Sequence, residues 1–103
     1  MDVVKYFKEQ IADELEGALE YAKNAFTMKA MDPSWAKQFI DMASMELNHA
    51  TRLYSMFDQF YQITSKGFNE LPEYIEETRD SIIDCYTTKQ VMIKGLIDLY
   101  NKG

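Results

Sequence analysis

Apolar residues recur along this chain in alternating steps of three and four, and this spacing constrains the fold more than any other feature. Such steps follow the 3.6-residue turn of an α-helix, and a helix with an apolar line buries that line against another helix. We therefore expect an all-α fold without β-strands. The line of the first helix is Val4, Phe7, Ile11, Glu14, Ala18, Tyr21, Ala25 and Met28, and the line of the second is Trp35, Phe39, Met42, Glu46, His49, Leu53, Met56, Phe60 and Ile63.

Glycine and proline are scarce, with four and two residues, and they divide the chain into long segments. We predict helices over about residues 2–29, 33–64 and 70–100. With 103 residues the chain is too short for two independent domains. The prediction is a single helical domain over 1–103, in which an antiparallel hairpin of two long helices is followed by a third long helix.

Helix boundaries are predicted from residue types that start and stop helices. Asp32 can cap the second helix with Pro33 in its first turn, and Ser65-Lys66-Gly67 is typical of a helix end. Asn69 or Leu71 precedes Pro72 at the start of the third helix.

Two glycines, Gly17 and Gly95, fall inside predicted helices. Glycine destabilises a helix interior by about 1 kcal/mol relative to alanine, so we expect a neighbouring helix to pass close to each.

Charge and cysteine content exclude several classes of function. Seventeen acidic against eleven basic residues give a net charge of −6, which disfavours nucleic acid and anionic membranes as partners. The amino terminus lacks the apolar stretch of a signal peptide, and no run approaches the ~20 apolar residues of a membrane span, so we expect a cytoplasmic protein. The single Cys85 excludes an intrachain disulfide and is predicted to be a core residue.

Three polar residues, Glu14, Glu46 and His49, interrupt the two apolar lines. Glu14 and Glu46 are equidistant from Ala30 at the turn, so they lie level in an antiparallel pair. Glu46 and His49 are three residues apart and share one helix face. Neither line contains a Lys or Arg to neutralise the carboxylates, and a cation would do so. Two carboxylates and an imidazole suit iron, manganese or zinc, so these residues are predicted metal ligands.

Other arrangements also satisfy these residues. A lone histidine on an apolar face is more often a core residue than a ligand, and protonated carboxyls could share hydrogen bonds with His49. Asp13, Glu16 and Glu20 flank Glu14, and we interpret them as a solvated face.

The site residues resemble half of a ferritin-like bundle. The run from Glu14 to Tyr21 is similar to that family's single-glutamate helix, with an aromatic residue seven positions after the ligand, and Glu46-Leu47-Asn48-His49 is similar to its Glu-x-x-His helix. The likeness covers about residues 3–64 and leaves out the third helix. Half-length subunits of this kind resemble encapsulated ferritins, which dimerise and build the ferroxidase centre at the interface.

This resemblance implies a homodimer, or a higher homo-oligomer, with a ferritin-like four-helix core. Two iron ions per dimer would be held by Glu14, Glu46 and His49 of both chains, which would be metal ligands and catalytic residues. The implied activity is oxidation of Fe(II) to Fe(III) by dioxygen or peroxide, for iron storage or detoxification, with manganese or zinc as alternative metals. Tyr21 would hydrogen-bond to one of the ligand side chains without binding the metal, although such a tyrosine is more often a core residue.

The resemblance also brings an encapsulin shell into consideration as a partner, and with it a location inside a protein compartment. No targeting tail is evident, because the chain ends shortly after the third helix.

Two alternatives stay open. One is a non-catalytic protein that binds metal, or a purely structural interaction protein whose buried Glu/His network specifies helix register. The other is a plain three-helix monomer. The second helix favours a dimer, because beside its apolar line it has two further apolar flanks: Ile40, Leu47, Tyr54 and Tyr61 on one, and Ala36, Ala43, Ala50 and Phe57 on the other.

Overall fold

The computed structural model describes residues 2–67 and 71–103, which form three α-helices: α1 (Val3–Lys29), α2 (Pro33–Lys66) and α3 (Glu73–Lys102). The prediction of an all-α fold is confirmed. Helices of 27, 34 and 30 residues make an elongated molecule, with principal extents of 56 × 23 × 17 Å. In these described stretches, no helix has an apolar segment long enough to cross a membrane.

The helix starts follow from local hydrogen bonds. Asp2 caps α1 by accepting from the backbone N–H of Lys5 at 3.1 Å. Asp32 caps α2 and accepts both from the Ser34 hydroxyl at 2.7 Å and from the Ser34 N–H at 2.8 Å. These bonds stabilise the ionised carboxylate and lower the pKa of Asp32, the hydroxyl contributing most.

Two helix ends differ from the prediction. α2 continues to Lys66, because Gly67 is the capping residue and its N–H donates to the Thr64 carbonyl at 3.2 Å. α3 begins at Glu73, with Pro72 as its N-cap and without a capping side chain. Leu71 directly precedes this cap, and Asn69 lies outside the described residues.

α1 and α2 lie side by side and run in opposite directions. The rings of Tyr21 and Phe39 are 6.0 Å apart, and farther from the turn the rings of Phe7 and Phe57 are 5.8 Å apart. Only residues 30–32 separate the two helices. This geometry places the middle of α1 against the middle of α2.

The buried surface of α2 is not the predicted apolar line. Trp35, Met56 and Ile63, all on that line, are 52%, 53% and 74% exposed. Small side chains allow closer packing between helices, so the alanines occupy the contact with α1 and the bulkier line lies at its edge. The buried residues of α2 are Ala36, Ile40, Ala43, Leu47, Ala50 and Phe57, and those of α1 are Val4, Phe7, Ile11, Leu15, Ala18, Ala22 and Ala25.

α3 packs against the side of the α1/α2 pair that faces away from His49. The Tyr86 ring stacks on Tyr54 at 4.2 Å, and the Tyr100 ring contacts Phe26 edge-on at 5.9 Å. Tyr54 is about 140° around α2 from His49 at 100° per residue. α3 therefore leaves the side that carries His49 uncovered.

Truncation of Leu15 should show that the alanine-rich contact stabilises the fold. Leu15 is fully buried, so Leu15→Ala should lower the free energy of unfolding by about 2–5 kcal/mol. The neighbouring Glu16 is exposed, and Glu16→Ala should change it by no more than about 0.5 kcal/mol. Urea denaturation of metal-free protein measures both values. Equal free energies of unfolding for the two variants would contradict the contribution of the buried Leu15 side chain to stability.

Candidate metal centre

The structure brings Glu14, Glu46 and His49 together at the edge of the α1/α2 contact. His49 Nδ1 lies 3.6 Å from Glu14 Oε2 and 4.0 Å from Glu46 Oε1. One ligand atom from each of the three residues lies within 4.8 Å of the other two. The short turn sets Glu14 level with Glu46, and the three-residue spacing places His49 on the same face.

Glu14 has a buried oxygen atom without a hydrogen-bond donor in the described residues. Its Oε2 atom is buried, and no hydrogen-bond partner reaches it from the described part of the chain. A buried carboxylate oxygen without a donor is unfavourable, because it has lost its hydrogen bonds to water and has no hydrogen bond to replace them. A cation at this point would satisfy it.

The neighbouring Glu14 carboxyl affects the ionisation of Glu46. A hydrogen bond with the Glu14 carboxyl, which requires a proton on one of the two groups, is the main factor that raises the pKa of Glu46; partial burial and the negative charge of Glu14 add to the rise, and His49 opposes it. Two ionised carboxylates therefore repel each other at this point. Either a proton or a cation shared between Glu14 and Glu46 would relieve the repulsion.

The dimensions fit a metal ion. Carboxylate oxygen and imidazole nitrogen bind first-row metals at about 2.0–2.2 Å, so two ligand atoms on one ion are at most about 4.4 Å apart. The His49 separations of 3.6 and 4.0 Å are within this limit. The three ligand atoms together lie within 4.8 Å of one another, close to this limit. Two oxygens and one nitrogen suit iron, manganese or zinc.

Gly17 belongs to this site, although the sequence singled it out only as a point of close approach. A Cβ atom on Gly17 would lie 3.4 Å from Glu46 Oε2 and 4.0 Å from its carboxyl carbon. The glycine thus leaves room for the Glu46 carboxyl beside α1. Close approach at Gly17 is confirmed.

Tyr21 packs rather than supporting the three ligands directly. It is half-buried, and its ring lies against Phe39 in the cluster around Ala22, Ala25 and Ile40. Its hydroxyl makes no hydrogen bond to any residue in 2–67 or 71–103.

The centre opens onto a surface that we name the seam face, formed by Glu14, Gly17 and Tyr21 of α1 and by Trp35, Phe39, Met42, Glu46, His49, Leu53, Met56, Phe60 and Ile63 of α2. The His49 side chain is 47% exposed, and the large apolar side chains of Trp35, Met56 and Ile63 are exposed farther along the same side of α2. The seam face therefore combines the three ligands with exposed apolar residues.

No family model matches this chain, and no match is found among curated proteins or among solved structures. The likeness to ferritin-like proteins thus depends on the ligands and their spacing.

Removing one charge from the centre should stabilise the metal-free protein. Glu46→Gln keeps the side-chain shape and ends the repulsion with Glu14, so Tm without metal should rise by roughly 2–6 °C. The same variant should lose the rise in Tm that metal gives the wild type. Differential scanning calorimetry with and without Zn²⁺ measures both effects. A lower Tm for metal-free Glu46→Gln would show that the carboxylates do not repel each other.

Proposed function

We propose that this chain is one half of a di-iron ferroxidase, completed when two copies pair through the seam face. The observation that carries the proposal is the meeting of Glu14, Glu46 and His49 at a point where the buried Glu14 Oε2 finds no hydrogen-bond partner among residues 2–67 and 71–103. Fe(II) is the substrate, and Fe(III) is the product, for storage or detoxification.

The number of ligands in one chain supports the pairing of two copies. One chain offers two carboxylates and one imidazole, whereas a ferritin-like di-metal site has four carboxylates and two imidazoles. A second copy supplies the remainder. It would also cover the exposed apolar residues of the seam face, while α3 stays on the outside of the resulting four-helix core.

The proposed reaction balances with dioxygen as the oxidant. Two Fe(II) ions give up one electron each, and dioxygen accepts both electrons with two protons to become hydrogen peroxide. Glu14 and Glu46 bind the ions and their negative charge favours the more highly charged product. His49 binds in its neutral form through Nδ1, the nitrogen that faces the carboxylates.

A second candidate function is mononuclear metal binding without oxidation. It is favoured by the fact that all three donor atoms meet within one chain. Zinc binds stably to three protein ligands and leaves a fourth position open. This function needs neither a second copy nor dioxygen.

Anaerobic Fe(II) titration combined with sedimentation tests the proposal. Binding should saturate at one ion per chain, two per dimer. Metal should also double the sedimenting mass at low protein concentration, because an ion that binds the assembled state stabilises that state. A chelator should reverse the change, and Mg²⁺ at equal ionic strength should not produce it. A monomer that binds iron without pairing would support the mononuclear function, and absence of binding would refute both.

A further inference from the structure

A second unpaired face lies on the outside of α3, in its carboxyl-terminal half. Val91, Met92 and Leu99 are 59%, 48% and 59% exposed there, although their side chains are apolar. We define the outer face of α3 as the exposed line Asp84, Thr88, Val91, Gly95, Asp98 and Lys102, with Met92 and Leu99 beside it. The steps of four and three place these residues on one side of α3.

Gly95 lies on this face, where the lack of a side chain would allow another helix to come close. A Cβ atom on Gly95 would meet no atom of another helix within 4 Å in residues 2–67 and 71–103, so neither α1 nor α2 is the neighbouring helix expected there. A glycine in mid-helix still weakens α3 by about 1 kcal/mol relative to alanine. The space above Gly95 is open to a side chain from another molecule.

One pair of opposite charges on the outer face comes together when two α3 helices pack in one orientation. Consider two copies of α3 that run antiparallel with Val91 opposite Gly95 of the second copy. Any two residues that face each other then have residue numbers whose sum is 186. Asp84 then faces Lys102 of the second copy, and Thr88 faces Asp98 of the second copy. The two-fold symmetry makes each of these contacts twice. A parallel pair would instead set Asp84 against Asp84 and Lys102 against Lys102.

We propose that the outer face of α3 is an interface with a second copy of this chain, in which two α3 helices pack antiparallel with Val91 over Gly95. This interface is separate from the seam face, because α3 covers the opposite side of the α1/α2 pair. It does not depend on metal and goes beyond the proposed function. The apolar contact is short, so the association should be visible at tens of micromolar rather than at nanomolar concentration.

Cysteine cross-linking tests the orientation. In a Cys85→Ser background, which removes the native thiol, one protein carries Val91→Cys and another carries Gly95→Cys. Under mild oxidation the mixture should form the disulfide dimer at least about tenfold faster than either protein alone. Faster cross-linking of Val91→Cys with itself would indicate the parallel pair, and equal rates in all three samples would indicate random collision. Either result would overturn the proposal.

Charge reversal tests the predicted contact independently. Asp84→Lys and Lys102→Asp should each raise the dimer dissociation constant by roughly 3–10-fold, and the double variant should restore it. Sedimentation equilibrium without metal, in a His49→Ala background, keeps the seam face out of the measurement. Unchanged dissociation constants in both single variants, or no recovery in the double variant, would overturn the proposed register. Iron titration of the same α3 variants in a chain that retains His49 reports separately on the metal centre.

Discussion

His49→Ala should lower the affinity for Fe(II) by at least about 100-fold while the chain stays folded. The imidazole provides the only nitrogen among the three ligands that the structure brings together. Its side chain is 47% exposed, so its loss leaves no cavity in the core. Anaerobic calorimetric titration gives the affinity, and circular dichroism confirms the helix content.

Asn48→Ala is the matched control, because Asn48 is the exposed neighbour of His49 on the same helix. Glu16→Ala serves the same purpose on α1. Both controls should bind Fe(II) as the wild type does. Wild-type affinity in His49→Ala would remove the imidazole from the site, and weakened binding in the controls would indicate a diffuse attraction of the acidic surface for cations.

Glu14→Ala should slow Fe(II) oxidation by at least about 100-fold and affect binding less. Glu46 and His49 lie on one helix and can hold one ion by themselves, but two ions at electron-sharing distance need the carboxylates of α1 as well. Stopped-flow absorbance at equal iron loading gives the rate. Zinc should inhibit the wild type, since it takes the same ligands and does not change oxidation state.

Tyr21→Phe provides the contrast for Glu14→Ala. The Tyr21 ring packs on Phe39, and phenylalanine preserves that contact. Iron binding should therefore be normal and turnover at most slightly slower. If the wild type oxidises iron no faster than Glu14→Ala, the ferroxidase proposal fails and metal binding alone remains.

The approach of Glu14 to Glu46 was predictable because it depends on one local feature. Asp32 and Pro33 fix the start of α2, the turn is centred near Ala30, and symmetry about that turn sets the two glutamates level. His49 follows from helical spacing alone. The geometry of the centre thus requires little beyond the position of the turn.

The buried line of α2 was not predictable in the same way. Apolar residues occur on several sides of this helix, so periodicity alone cannot choose between the line through Met56 and the neighbouring line through Phe57. The alanines determine which of these lines is buried, because they permit the closest approach to α1. That choice depends on three-dimensional packing, as does the open space above Gly95.

The rings of Phe7, Phe57 and Phe60 close the end of the α1/α2 pair that is farthest from the turn. Phe7 lies 5.8 Å from Phe57 and 6.4 Å from Phe60, between ring centroids. Aromatic contacts therefore join the two helices on both sides of Glu14. Ions would enter and leave the centre sideways, through the seam face, without any separation of the helices. In the proposed dimer, their exchange would then be limited by dissociation of the two copies rather than by unfolding.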